Sequence, residues 1–262
     1  MQRLAANFPV VAVLGARQVG KSTLLDRAFG QIAPAVVFDP VVDVANARQD
    51  PELFLRMRGT PLILDEIQYA PELLPALKRA VDQRRGEPGQ YFLTGSQQLP
   101  VLRGVQESLA GRVALLDLLP MSRRELHQAA GPSLLQVLLG GGLRTARQLH
   151  SELAALPRVA TGAGLLQQLY RGGFPGLLPL GDDDVAEWMG SYLRTYVERD
   201  IRPLRDVGQP HEFTRFLRLM AALTGQELNA SQLGRDIGIA PKTALAWLEV
   251  LERSFQILPL PA

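Results

Sequence analysis

The sequence predicts an α/β fold: a doubly wound parallel sheet, then a helical region and a C-terminal winged-helix-like segment. Three observations carry that reading. Short apolar runs recur at 8–14, 35–38, 62–64, 91–93 and 113–119, with helical patterns between them. The first run opens into a glycine-bounded loop that leads straight into a helix. Polar residues close two later runs, at the sheet edge where open α/β folds place their sites.

Taken in order, residues 8–14 form a continuous apolar run of the kind expected for a parallel strand buried on both faces. The next segment, Gly15-Ala16-Arg17-Gln18-Val19-Gly20-Lys21-Ser22-Thr23, fits the phosphate-loop pattern of glycine, four residues, glycine, lysine and a hydroxyl residue. Its glycines let the backbone wrap closely around an anion, so that N–H groups and the start of the helix over 22–29 point at phosphates. Lys21 is placed to reach the β- and γ-phosphates, and the Ser22 hydroxyl to hold Mg²⁺. A glycine loop with a surface lysine is the plainer alternative; the position between strand and helix favours phosphate binding.

The second strand, 35–38, ends at Asp39-Pro40, where proline stops the pairing. A short helix over 51–57 follows, then a buried strand over 62–64 that delivers Asp65 and Glu66 to its C-terminal end. Carboxylates there are costly unless they meet a cation. Asp65 is read as part of the Mg²⁺ shell and Glu66 as the general base for an attacking water; an acidic pair opening the next helix is the alternative. After a helix over 72–83, the strand 91–93 ends in Thr94-Gly95-Ser96. Thr94 or Ser96 either senses the γ-phosphate or caps the turn. A helix over 99–109 leads to Arg112 and the last strand. Arg112 is read as a finger or sensor supplied to a nucleotide across an interface, with a surface salt bridge as the alternative and Arg103 a weaker case.

The strings GARQVGKSTLL, LILDEIQYAPELL, YFLTGSQQ, ESLAGRVALLDLLPMSRREL, RGGFP and SYLRTYVERDI together resemble the bacterial and archaeal AAA-type P-loop ATPases that carry a domain of unknown function behind the ATPase core. The resemblance spans nearly the whole chain. It implies a P-loop NTPase sheet, ATP binding with Mg²⁺, hydrolysis, a sensor at Thr94 or Ser96, and a helical region leading into a winged helix. Family members usually continue into a region resembling a restriction-endonuclease fold, so the chain, ending at Ala262, is expected to be truncated.

Beyond the sheet, Ser122 and Glu125 stand in capping-box register, and Gly140-Gly141-Gly142 is the best flexible joint. The RGGFP turn either faces the nucleotide or makes a tight interdomain turn. Asp182, Asp183 and Asp184 open a regular helix to about 201, with Val185, Trp188, Met189, Tyr192, Tyr196 and Val197 on one face. Glu198 and Asp200 read as structural. Helices over 213–223, 231–237 and 241–253, with Gly238 between the last two, read as a helix-turn-helix, and 255–258 as one wing strand. The last helix offers Lys242, Thr243 and Arg253 but also Glu249 and Glu252, a weak footprint for DNA. An interaction or lid role is therefore favoured over sequence-specific reading. The expected domains are 1–128 (ATPase), 129–207 (helical lid or linker) and 208–262 (winged-helix-like, incomplete).

Composition bounds the rest. At 262 residues and 47% hydrophobic, the chain can bury a real core. It has no cysteine, so disulfides and thiolate metal sites are excluded. No apolar run reaches the roughly 18 residues of a membrane span, and MQRLAANF is too short and mixed for a signal peptide, so a cytoplasmic protein without membrane contact is expected. His127, His150 and His211 are scattered, which argues against a structural metal site. A net charge of +2 defines no polyanion partner. Three functions fit: an ATPase moving its C-terminal parts, a slow-hydrolysing switch that holds DNA or a protein partner, and a small-molecule kinase. Glu66 favours water as acceptor over the kinase. Arg112 implies self-association.

Overall fold

The computed structural model describes residues 1–39, 44–95, 109–139, 145–156, 164–201 and 210–260. Ser96, Arg103, the expected helix over 99–109 except its last residue, and the glycine joint at 140–142 lie outside them. Two compact units form: Met1–Leu119 with Glu187–Ala262, and Pro120–Ala186.

In the first unit a short helix, α1 (Gln2–Ala5), precedes β1 (Val10–Leu14) and α2 (Lys21–Phe29). Then come β2 (Ala35–Val37), α3 (Val44–Gln49), α4 (Pro51–Arg58), β3 (Leu62–Asp65), α5 (Leu73–Gln83), β4 (Tyr91–Gly95) and β5 (Val113–Asp117). Every strand pairing is parallel and the order is β2-β3-β4-β1-β5, the doubly wound sheet that the alternating pattern requires. This order inserts β4 between β1 and β3. Val13 lies beside Thr94, and Leu64 beside Leu93.

Side chains alternate between two cores. Val10, Ala12, Leu14, Leu62, Leu64 and Leu93 share one with Leu73 and Leu77 of α5. Val11, Val13, Ile63 and Phe92 share the other with Leu25 and Phe29 of α2, and the Phe29 and Phe92 rings stack at 4.0 Å. Each fully buried Val, Leu or Phe contributes about 1.5–3 kcal/mol. β1, β3 and β4 are buried along their whole length. That is why they read as unbroken apolar runs rather than alternating ones.

In the second unit, α6 (Arg123–Leu126) starts on a reciprocal capping box. The Ser122 amide donates to Glu125 Oε2 at 2.7 Å, and the Glu125 amide to Ser122 Oγ at 3.3 Å. Helices α7 (Leu134–Leu139), α8 (Ala146–Ala154) and α9 (Gly164–Arg171) follow. In RGGFP, a Cβ on Gly173 would stand 2.4 Å from the Met121 carbonyl oxygen, and the Met121 amide donates to the Gly173 carbonyl at 2.8 Å. The motif is a tight turn fastened to the chain that leaves β5.

Helix α10 (Asp182–Tyr196) ends in a π turn, Val197–Ile201; then come α11 (Pro210–Ala222), α12 (Ala230–Ile237) and α13 (Pro241–Arg253). Their core holds Tyr196, Phe213, Phe216, Leu233, Trp247 and Leu251, with Trp247 edge-on to Phe213 at 5.3 Å and Phe216 at 5.4 Å. A Cβ on Gly234 would meet the Ile239 carbonyl at 2.7 Å, so the turn between α12 and α13 closes directly onto α12.

The expected wing strand over 255–258 does not form. Instead, the Phe255 amide donates to the Glu252 carbonyl at 3.0 Å and the Gln256 amide to the Leu251 carbonyl at 2.8 Å, with Phe255 left-handed at φ 61°. This is a helix-capping Schellman arrangement. Phe255, Ile257 and Leu258 read as an apolar strand, but a lone strand leaves its backbone groups unpaired. Phe255 instead packs against the core that lines one face of the sheet.

Candidate functional site

The site grows from the C-terminal end of β1. The Leu118 amide donates to the Leu14 carbonyl at 2.7 Å, which draws the exit of β5 over Gly15. A Cβ on Gly15 would stand 2.3 Å from the Leu118 carbonyl oxygen, so only glycine fits. Further along, Gln18 (φ 61°) and Gly20 (φ 98°) are both left-handed. Such reversals turn successive N–H groups toward one concavity, which suits an anion. Gly20 also caps α2, so the first N–H groups of that helix open on the loop.

Lys21 is 5% exposed, and its ammonium donates to the Gly15 carbonyl at 3.1 Å and the Ala16 carbonyl at 2.8 Å. The cation is thus folded over the loop that would receive phosphates. Ala16 and Val19 are buried, while Arg17 reaches the Tyr69 hydroxyl at 3.4 Å. Ser22 and Thr23 stand exposed on the first turn of α2.

Ser22 Oγ donates to Asp65 Oδ1 at 2.9 Å, joining the loop to the end of β3. The same oxygen accepts a short hydrogen bond from the hydroxyl of Thr94. Thr94 is fully buried, and its oxygen accepts the Glu66 amide at 2.9 Å. One threonine on β4 therefore fixes the Asp65 carboxylate and the backbone of the candidate base together. Glu66 is left-handed at φ 58°, and its carboxylate accepts a hydrogen bond from the Gln68 side-chain amide.

The fold brings Gly15 through Thr23, Asp65, Glu66 and Thr94 to one sheet edge. Arg112 lies at the other: it precedes Val113, which pairs with Val10, and its carbonyl accepts the Val10 amide at 3.2 Å. The length of β1, roughly 13 Å, separates it from the loop. Its guanidinium makes a bidentate pair with Asp82 of α5.

The partnerships with Gln68, Tyr69 and Asp82 were not foreseen. Gln68, two residues after Glu66, carried a positional hint; Asp82 is 30 residues from Arg112 and carried none. A hydroxyl and a carboxylate are hard oxygen donors of the kind Mg²⁺ takes. Among the described residues no group of three or more His, Asp or Glu side chains converges to hold a metal. A cation between Ser22 and Asp65 would thus take its other ligands from phosphate and water. No helix of the described residues is long and apolar enough to cross a membrane.

Residues 7–127 match the family model of an AAA domain, and residues 163–262 that of a domain of unknown function (DUF8612). Two relatives, uncharacterized protein Rv2008c of Mycobacterium tuberculosis and uncharacterized protein Mb2031c of Mycobacterium bovis, are each 29% identical over 252 residues. The match takes in 96% of this chain but 49% of each relative, so the chain spans about half their length. Among solved structures, the Thermotoga maritima RuvB Holliday junction branch migration motor is 17% identical with a TM-score of 0.39, covering 95% of this chain and 79% of that one. The Aeropyrum pernix ORC1 protein, solved in complex with DNA, is 12% identical with a TM-score of 0.29, covering 94% and 77%. With a phosphate-loop pattern and a parallel sheet in this order, residues 7–127 are thus matched as an AAA domain, and residues 163–262 behind them as a domain of unknown function.

Proposed function

We propose that the chain hydrolyses ATP at the edge formed by β1, β3 and β4 and uses the nucleotide state to move its C-terminal helices. The observation that carries this is the chain of hydrogen bonds from Ser22 to Asp65 to Thr94 to the Glu66 amide, which joins the phosphate loop to the candidate base. The N–H groups of residues 15–20 and the Lys21 ammonium bind and orient the triphosphate. Ser22 and Asp65 are the residues that would hold Mg²⁺, which when bound neutralises charge on the phosphate oxygens. Glu66 accepts the proton of the water that attacks the γ-phosphorus, and the bond to the leaving diphosphate breaks. Thr94 aligns Asp65 and Glu66.

Arg112, at the far edge, acts on the nucleotide of a neighbouring copy, because its own nucleotide is a strand's length away. Coupling to the C-terminal helices is supported by Phe255, which closes α13 and packs on the sheet's core. The outward face of α13 shows Lys242, Leu245, Glu249 and Glu252, and Arg253 is tied to Glu249. That surface of balanced charge, partly apolar, favours a protein partner over DNA.

Steady phosphate release that Glu66→Gln abolishes while ATP binding persists supports hydrolysis. Loss of ATP binding in Lys21→Ala supports the loop's role, and undiminished binding there refutes it. A second reading, a slow-hydrolysing switch, is favoured by one contact: the Gln68 amide donates to the Glu66 carboxylate, and a carboxylate that already accepts a hydrogen bond is a weaker base. ATP binding without turnover in the parent protein would select it.

A further inference from the structure

At the sheet edge opposite the phosphate loop, a cavity of about 260 Å³ is lined by Asp82, Arg84, Arg85, Gly111 and Arg112 among others. Three guanidinium-bearing residues and one carboxylate thus line it. The carboxylate is spent on one of them. Asp82 Oδ1 accepts from Arg112 Nε at 2.8 Å and Oδ2 from Nη2 at 3.1 Å, while Arg112 Nη1 donates to the Ala110 carbonyl at 3.0 Å. Arg85 stands farther off, its Nε 3.7 Å from Asp82 Oδ1. Arg84 is turned toward the Thr60 hydroxyl.

The Arg112 backbone is held too. Gly111 makes the left-handed turn before it at φ 74°, and the Arg112 carbonyl is bonded to β1. The side chains of Arg112 and Asp82 are 29% and 27% exposed, open enough to meet another molecule. Those three bonds use three of the five N–H groups of the guanidinium.

A partly exposed ion pair contributes little to stability, which gives little reason for such a complete clamp. Preorganisation gives one. A guanidinium fixed before phosphates arrive loses no rotamer freedom when they do, and a planar fork recognises phosphate best at a set angle. We infer that Asp82 is a positioning residue that holds Arg112 at the mouth of a cationic cavity, ready for the triphosphate bound by a second copy of this chain. The inference rests on the proposed hydrolysis with Arg112 acting between copies. The Asp82 carboxyl lies below its ordinary range, first through its hydrogen bonds with Arg112, so it stays charged under any physiological condition.

The test combines turnover with assembly. Asp82→Asn, Asp82→Glu, Arg112→Ala and the Asp82→Asn/Arg112→Ala double variant are assayed for kcat and KM. ATP-dependent self-association is followed by sedimentation velocity in a Glu66→Gln background. Asp82→Asn is expected to lower kcat about tenfold or more with KM for ATP unchanged. It should weaken assembly with ATP and add nothing in the Arg112→Ala background. Asp82→Glu should recover most of both. An Asp82→Asn variant that turns over and assembles like the parent, or that loses as much again when Arg112 is already alanine, overturns the clamp alone. Undiminished turnover and assembly in Arg112→Ala overturns the finger reading, and the clamp with it.

Discussion

The Cα of Gly15 points at the carbonyl of Leu118 so closely that a single added methyl would stand 2.3 Å from its oxygen. Leu118 yields only at a cost, because its own amide is bonded to the Leu14 carbonyl at 2.7 Å. The first glycine of the proposed phosphate loop is therefore required by the exit of β5. Gly15→Ala should destabilise the protein by about 1–3 kcal/mol or more, since backbone must shift on both sides. It should also lose ATP affinity. A thermal melt and an ATP titration measure the two effects, and an unchanged melt would show that the strand exit is free to move.

Thr94→Val keeps the shape of the side chain and removes its hydroxyl. Asp65 then loses one donor, and the Glu66 amide loses its acceptor. An unpaired polar group in so buried a position costs about 1–3 kcal/mol. That corresponds to a melting point roughly 2–10 °C lower in a protein of this size. Turnover should fall with it, while Thr94→Ser keeps the hydroxyl and both properties. Equal melts for the valine and serine variants would remove the strut role assigned to Thr94.

Much of this arrangement was legible in the residues, and the reason is local. Phosphate loops and buried strands announce themselves within a few positions, as Gly15 to Ser22 and Leu62 to Asp65 do. Side-chain partners set by strand order do not. Nothing near Thr94 says that β4 inserts between β1 and β3, yet that insertion turns its hydroxyl onto Asp65. Arg112 is a similar case, because only the parallel register puts it at the edge away from the loop. The wing strand failed for a different reason. Periodicity reports which residues prefer burial, and Phe255 is partly buried against the core as that pattern asks, but it does not report whether a pairing partner exists.

The helix start at Ser122 makes a pH prediction. The Glu125 carboxyl is held below its ordinary range, first by the hydrogen bond from the Ser122 amide and then by that from the Ser122 hydroxyl. A carboxyl depressed in the folded state stabilises it above the unfolded pKa, and that contribution is lost as pH falls through the depressed value. Glu125→Gln, which keeps the shape and drops the charge, should therefore melt about 1–2 °C below the parent at neutral pH. The gap should close in acid below the ordinary carboxylate range. A gap that is constant across pH would mean that the capping box owes nothing to the charge.

Phe255 allows strain and packing to be separated. Its left-handed backbone costs a side-chain-bearing residue about 1–2 kcal/mol, and its ring recovers that by packing on the core of the sheet. Phe255→Ala loses the ring but keeps the strain. Phe255→Gly loses the ring and the strain together, since glycine adopts the capping conformation freely. Both variants should be less stable than the parent, with the glycine variant above the alanine variant by about 1 kcal/mol in chemical denaturation. If Phe255 also carries the nucleotide state to the helices, both should leave ATP affinity near the parent's while weakening the ATP-dependent change in protease protection of α11 to α13. Protection that responds to ATP equally in all three proteins would assign Phe255 to stability and place the coupling elsewhere in the chain.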